Sequence, residues 1–169
     1  AQSPNTTVNA IKQVVYQVDK NQKSNLLSHL IHSEQWTQAL VFSRTKHGSE
    51  KIAKQLNAAD IQTATIHGDK TQGARMRALR EFKEKDVRVL VATDVAARGI
   101  DIEDISFIIN YDMPMQAEIY VHRVGRTARA GKSGVAISFC DRSEVRKLKE
   151  IESLIGYTFE SEGKEFSET

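Results

Sequence analysis

At 169 residues, with 40% hydrophobic and 27% charged side chains, the chain reads as one soluble globular domain with ample core to fold independently. A net charge of +2 excludes nucleic-acid affinity from overall charge, so any such binding must come from a local patch. The single Cys140 excludes an internal disulfide, and no apolar run suits a membrane span or signal peptide, so the expected compartment is the cytoplasm and the Asn5-Thr6-Thr7 sequon is idle.

Taken in order, Ala1 to Asn9 is polar, contains Pro4 and reads as a linker remnant. Ile11 to Val18 alternates, placing Val14, Tyr16 and Val18 on one face of a half-buried strand suited to a sheet edge. Asp19 and Gln22 are spaced to cap a helix that runs to about Ser33 on the stripe Leu26, Leu27, Leu30 and Ile31. Ala39 to Phe42 is short and wholly apolar, as a strand buried on both faces should be. After Ser43-Arg44-Thr45 a helix extends to about Leu56, with Ile52, Ala53 and Leu56 inward. Thr63 to Ile66 predicts a strand ending in His67-Gly68-Asp69, and Thr71 to about Lys85 a helix with Met76, Leu79 and Phe82 inward. Val87 to Ala92 is the clearest buried strand and ends in Thr93-Asp94, and Ile105 to Asn110 is the next. Pro114 opens a helix over Gln116 to Arg126, and Val135 to Cys140 is a strand with a buried thiol. Asp141 with Glu144 forms a capping box for a helix to about Ile155. The domain so read covers 10–156 and leaves a loose acidic tail over 157–169.

Strands alternating with helices of this length predict an α/β fold with a largely parallel sheet. Such sheets bind ligands beyond the carboxyl ends of their strands. Ser43-Arg44-Thr45, His67-Gly68-Asp69, Thr93-Asp94 and Asp112 all follow strands and so gather on that edge.

Tyr120 to Gly134 is the densest cationic stretch: Arg123, Arg126, Arg129 and Lys132 lie close together with Gly125 and Gly131 between them and no acid. Arginines at every third residue form a ridge on a helix, and their planar forks suit phosphate oxygens. A solvated basic helix face is the competing reading. The apolar Ile119, Tyr120, Val121 and Val124 weigh against it by anchoring the segment on a core. Gly125 to Ser133 imitates a phosphate-cradling P-loop but has five residues between its glycines instead of four, and helix rather than strand before it.

Ala92 to Asp101 is the second dense site. Thr93 and Gly99 can present hydroxyl and amide groups to phosphate, Arg98 adds charge, and Asp101 can accept from a ribose hydroxyl. The alternative is an ordinary surface pair of Asp94 with Arg98 and a turn capped by Asp101. Gln72 and Arg75, near a helix start after Gly68, can hold a sugar-phosphate backbone, or simply be exposed on an amphipathic helix. Phe42 suits the core better than base stacking. His29, His32, His47 and His67 show no metal-ligand spacing, and no nucleophile arrangement appears.

Leu40 to Thr45, Ile66 to Asp69 with Gln72 and Arg75, Ala92 to Asp101, and His122-Arg-Val-Gly-Arg-Thr-Ala-Arg129 together resemble the second RecA-like domain of DEAD-box ATP-dependent RNA helicases. The blocks stand in that family's order across most of the chain. Val15 to Lys20 and Leu26 to Ile31 look most like the bacterial RhlE-type subgroup. Ala128 departs from the glycine usual in the arginine motif, and the P-loop, the Asp-Glu-Ala-Asp box and the adenine-reading motif of the first domain are missing.

The resemblance implies a RecA-like three-layer sandwich and a distinct set of roles. Arg126 and Arg129 would reach the ATP γ-phosphate as arginine fingers, with His122 beside them as a catalytic-site residue. Asp101 would bind the ATP ribose, and Arg123 with Phe42 would couple the cleft to the RNA-side motifs. Gly68, Gln72, Arg75, Thr93, Asp94 and Arg98 would hold RNA, single-stranded or duplex, by its backbone and so without base preference. The N-terminal RecA-like domain of the parent chain would be the other partner and would hold the Mg²⁺ that accompanies ATP; no membrane is implied. Two rivals remain: a DNA helicase domain of the same superfamily and a non-catalytic RNA-binding scaffold. Tyr111-Asp112-x-Pro114 favours RNA over DNA, and the presence of Asp101, Arg126 and Arg129 favours catalysis over scaffolding.

Overall fold

Short apolar runs closed by polar or turn residues become strands of a single seven-stranded sheet. The structure is a computed structural model that describes residues 11–98, 102, 105–125, 134–156 and 158–162. In chain order the strands are β1 (Lys12–Gln17), β2 (Ala39–Phe42), β3 (Thr63–Ile66), β4 (Val89–Ala92), β5 (Phe107–Asn110), β6 (Val135–Cys140) and β7 (Glu160–Glu162). They lie in the order β3-β4-β2-β5-β6-β1-β7, and every pairing is parallel. The helices between them are α1 (Lys23–Ser33), α2 (Lys46–Ala58), α3 (Gln72–Lys83), α4 (Asp94–Ala97), α5 (Ala117–Val124) and α6 (Val145–Ile155).

Alternation along the central strands divides the core in two. Leu40, Phe42, Leu90, Ala92 and Ile108 face Leu79 and Phe82 of α3, Tyr120 and Val124 of α5, and Leu148 and Ile151 of α6. Val41, Val91 and Ile109 face the other way, onto Leu26, Leu27, Leu30 and Ile31 of α1 and Ile52 and Leu56 of α2. Because both faces are covered, β2 and β4 are buried at every residue, as a parallel sheet requires. This is the expected α/β three-layer sandwich.

Local chemistry sets the helix starts. Thr45 accepts from the Gly48 amide at 2.9 Å and Thr71 from the Ala74 amide at 3.1 Å, caps worth about 1 kcal/mol each. A Cβ on Gly48 would stand 2.9 Å from both the Ser43 and Thr45 hydroxyls, so a side chain there would have to displace them, the Thr45 cap included. The capping box of Asp141 and Glu144 is present: Ser143 N donates to Asp141 at 2.8 Å, and Asp141 N donates to Glu144 at 3.1 Å. It closes a 3-10 turn (Arg142–Glu144) that leads directly into α6.

Several expectations need correction. The strand β1 is not an edge: it lies between β6 and β7, and Gln13, Val14 and Val15 are all buried. The outer strand is β7, so Glu160 to Glu162 of the tail pair in parallel with Val14 to Tyr16; 157 and 163–169 lie outside the described residues. Asp19 makes no side-chain cap; a 3-10 turn (Lys20–Gln22) precedes α1 instead. Met76 points outward and is 52% exposed, because the buried face of α3 runs through Ala78, Leu79 and Phe82 and Met76 sits off that stripe. Among the described residues no helix is long and apolar enough to cross a membrane.

Cys140 closes β6 as a buried thiol. Burial, together with the negative charges of Glu144 and Asp141, pushes its pKa up to about 11. Since the thiolate is the nucleophile, the folded protein should resist a thiol-reactive aromatic disulfide at about pH 8 and react promptly once unfolded in denaturant. Fast stoichiometric labelling of the native protein would contradict this placement.

Candidate functional site

Polar residues of separate segments meet where β2, β4 and β5 end. Arg123, on the last turn of α5, is the centre. Its guanidinium is only 2% exposed and donates through Nε and Nη2 to the two carboxylate oxygens of Asp94, each at 2.7 Å. Its Nη1 donates to Asn110 Oδ1 at 3.1 Å and to the Asp112 carbonyl at 2.8 Å. Asn110 is oriented by donating its own amide to Ser138 Oγ at 3.1 Å. The guanidinium carbon lies 5.0 Å from the centre of the Phe42 ring. One cation thus joins the start of α4, the ends of β2 and β5, and α5. A planar fork with five donors can do this where an ammonium cannot.

This revises two expectations. Arg123 does not belong to an exposed arginine ridge; it faces inward, while its neighbour His122 is exposed. Asp94 does not pair with Arg98: both its oxygens are held by Arg123, so its side chain positions α4. Arg98 stays exposed, and its side chain has no partner among the described residues.

A cavity of about 440 Å³ opens beside this node, lined by Phe42, Asp94, Ala97, Arg98, Ile119, His122 and Arg123. The tertiary structure therefore brings five expected site residues to one cleft. Thr93 lies just before α4, buried, with its amide donating to the Ile66 carbonyl at 3.2 Å. Its hydroxyl does not cap α4. Asp101, Arg126 and Arg129, together with Gly99, Ala128 and Lys132, lie outside the described residues.

Along the same edge the β3–α3 loop carries the remaining candidates. Gly68 and Gln72 are exposed, and nothing lies within 4 Å of where a Gly68 side chain would begin, so its backbone is open to a ligand. Arg75 folds back onto the loop, donating to the Lys70 carbonyl at 3.3 Å and the Gly68 carbonyl at 3.4 Å, which leaves N–H groups to spare. His67 is buried and structural: Nδ1 accepts from the Asp69 amide at 3.2 Å, and Nε2 lies 3.0 Å from Glu50. Burial by itself would raise the Glu50 pKa, but hydrogen bonds from His67 and Lys70 prevail and hold it below the ordinary value. Lys46 pairs with Asp69 at 2.8 Å and ties α2 to this loop.

One buried network was not foreseen. The Lys23 ammonium, 2% exposed, lies 2.8 Å from Glu144, 3.6 Å from Asp141 and 3.8 Å from Asp112. Glu144 also accepts from the Met113 amide at 2.9 Å, and Asp112 from the Arg44 amide at 2.8 Å. The loop after β5 is therefore gripped by Lys23 with Glu144, by Arg44 and by Arg123. A signal was present: Lys23 lies three and four residues before Leu26 and Leu27, on their buried stripe.

Residues 22–131 match the family model described as the helicase conserved C-terminal domain. The fold superposes on the C-terminal domain of the DEAD-box protein Dbp5 with a TM-score of 0.87, at 32% identity over 94% of this chain and 93% of that one. This chain is a DEAD-box helicase C-terminal domain. The Escherichia coli DEAD-box protein SrmB, solved with the regulator of ribonuclease activity A, gives a TM-score of 0.86 at 37% identity, covering 93% of both chains. Among curated relatives, the DEAD-box ATP-dependent RNA helicase CshA of Bacillus subtilis is 45% identical over 146 residues, and the ATP-dependent RNA helicase DbpA of the same organism 44% over 151. Those stretches cover 86% and 89% of this chain but only 30% and 32% of the relatives, so the helicase C-terminal domain spans about a third of their length. The RhlE-like subgroup stays an expectation beside these CshA and DbpA relatives.

Proposed function

We propose that this helicase C-terminal domain is one half of an ATP-driven RNA-remodelling enzyme and works by closing against an N-terminal RecA-like domain. The observation that carries the reading is the Arg123 node. It rigidly joins the α5 segment, which leads into the arginine motif, to Asp94 and Phe42, next to the elements assigned to RNA. Asp101, Arg126 and Arg129 serve ATP; His122, Arg123 and Phe42 couple the cleft to the RNA side. Gly68, Gln72, Arg75, Thr93 and Arg98 hold the RNA backbone, and Asp94 contributes by fixing α4. Mg²⁺ is assigned to the N-terminal domain. A single buried, reduced thiol and an RNA substrate fit the cytoplasm.

Binding of RNA strands of unrelated sequence to this domain tests the reading. If Arg75, Arg98 and one further group each neutralise a phosphate, log K should fall against log salt with a slope of about −2. Arg75→Ala should weaken every sequence alike. A strong preference for one sequence, or affinity indifferent to salt, would contradict backbone recognition.

A further inference from the structure

The turn that follows β3 is built around a histidine side chain. Lys70 N donates to the His67 carbonyl at 3.1 Å, which closes a turn over His67-Gly68-Asp69-Lys70. Inside that turn Nδ1 of the buried His67 ring accepts from the Asp69 amide at 3.2 Å. A side-chain acceptor bonded to the amide two residues on is what Asn and Asp ordinarily supply in a turn. Histidine can supply it only from an unprotonated Nδ1, so the ring proton has to sit on Nε2.

Glu50 of α2 holds the proton there. Its carboxylate lies 3.0 Å from Nε2 and, being an acceptor only, calls for a donor at that nitrogen. The Lys70 ammonium at 2.9 Å and the Thr65 hydroxyl at 3.3 Å fix the carboxylate in turn. The two partners of the ring thus select one tautomer and one orientation. The consequence shows one residue along. With the Asp69 amide taken, the Gly68 N–H has no hydrogen-bond partner among the described residues, and nothing lies within 4 Å of where a Gly68 side chain would begin.

We propose that His67 is a positioning residue for RNA binding: through Nδ1, in the tautomer that Glu50 imposes, it shapes the turn so that the Gly68 amide stands free as a donor to a phosphate oxygen. The inference rests on the RNA reading given above and adds to it a side chain that itself touches no RNA. It makes affinity depend on one ring nitrogen and not on the other.

Near-isosteric replacements separate the two nitrogens. Asparagine puts its carbonyl oxygen close to the place of Nδ1, so His67→Asn keeps the acceptor for Asp69 and gives up Glu50. Glutamine puts its amide nitrogen close to the place of Nε2, so His67→Gln keeps Glu50 and gives up the turn. The test measures binding of an oligouridylate of about ten nucleotides to this domain, with thermal unfolding followed in parallel. His67→Asn should bind within about twofold of wild type and His67→Gln about tenfold more weakly, the loss expected for one hydrogen bond to a charged group. No cation is removed, so the His67→Gln salt slope should match wild type, whereas Arg75→Ala flattens it by about 0.7. Gly68→Pro deletes the N–H itself, at a backbone whose φ is not positive, and should reproduce the His67→Gln loss; it tests the donor even where His67→Gln does not fold. A residue that only stabilised the fold would lose affinity in step with unfolding temperature in both His67 variants. That pattern, equal affinity of the Asn and Gln variants, or wild-type binding by Gly68→Pro overturns the proposal, while an Arg75→Ala loss measured alongside preserves the underlying RNA reading. Failure of Arg75→Ala to weaken binding overturns that reading itself.

Discussion

Arg126→Ala and Arg129→Ala, each introduced into a chain that also carries the N-terminal domain, are expected to cut RNA-stimulated ATP hydrolysis by about 10³- to 10⁵-fold while ATP still binds. As the terminal phosphoryl group leaves, negative charge gathers on oxygens that the P-loop side alone does not cover. A guanidinium delivered from the opposite wall stabilises that charge in the transition state and contributes much less in the ground state. Delivery has to be accurate, and the Arg123 node bears on this. Its four hydrogen bonds fix the last turn of α5, immediately before the chain continues through Gly125 toward Arg126. Lysine should rescue poorly at either position, because a point charge lacks the fork that spans two oxygens. Single-turnover hydrolysis with saturating RNA is the measurement. Rates within a few-fold of wild type for Arg126→Ala would remove the finger role and leave a solvated basic segment.

Lys23→Met should destabilise the domain by about 3–5 kcal/mol, with little change in the surface exposed on unfolding. The lysine is the counter-charge for a buried Glu144 and lies within 4 Å of Asp141 and Asp112 as well. Removing it leaves carboxylates facing one another with no cation between them. Adding Glu144→Gln should recover much of the loss, since the cost comes mainly from the stranded charge and only partly from lost packing. Urea denaturation of the two single variants and the double variant gives the cycle, and a loss below about 1 kcal/mol for Lys23→Met would refute the account.

The same change should alter the response to acid. Burial tends to raise the Asp141 pKa, yet the hydrogen bond from Ser143 and the Lys23 charge hold it below the ordinary value. A depressed carboxylate contributes stability that is full above its unfolded pKa and disappears as pH falls through its folded pKa. Without Lys23 one of those depressing causes is gone. The fall in stability toward acid should therefore be shallower for Lys23→Met than for wild type, and the gap between the two proteins should narrow as the carboxylates protonate.

What the sequence determined by itself is local. Runs such as Ala39 to Phe42 and Thr63 to Ile66 carry their own strand signal, and Leu26 to Ile31 and Ile52 to Leu56 carry helical stripes, because burial periodicity is a property of neighbouring residues. The capping box at Asp141 was legible for the same reason, and so was the gathering of Ser43, Thr93 and Asp112 on one sheet edge, which follows from strand direction alone. Tertiary structure decided where distant residues meet. Nothing near Arg123 in the chain indicates that Asp94, 29 positions earlier, takes both arms of its fork, or that Asn110 and Asp112 complete it. Sequence spacing offered Arg98 as an alternative partner of Asp94 because i, i+4 neighbours meet on a helix, a pairing set by local geometry alone. The burial of Lys23 against Glu144, 121 positions away, and the pairing of β7 with β1 share that character. A buried charge or an added strand is stable only when its partner arrives from elsewhere in the fold, and chain order does not encode that arrival.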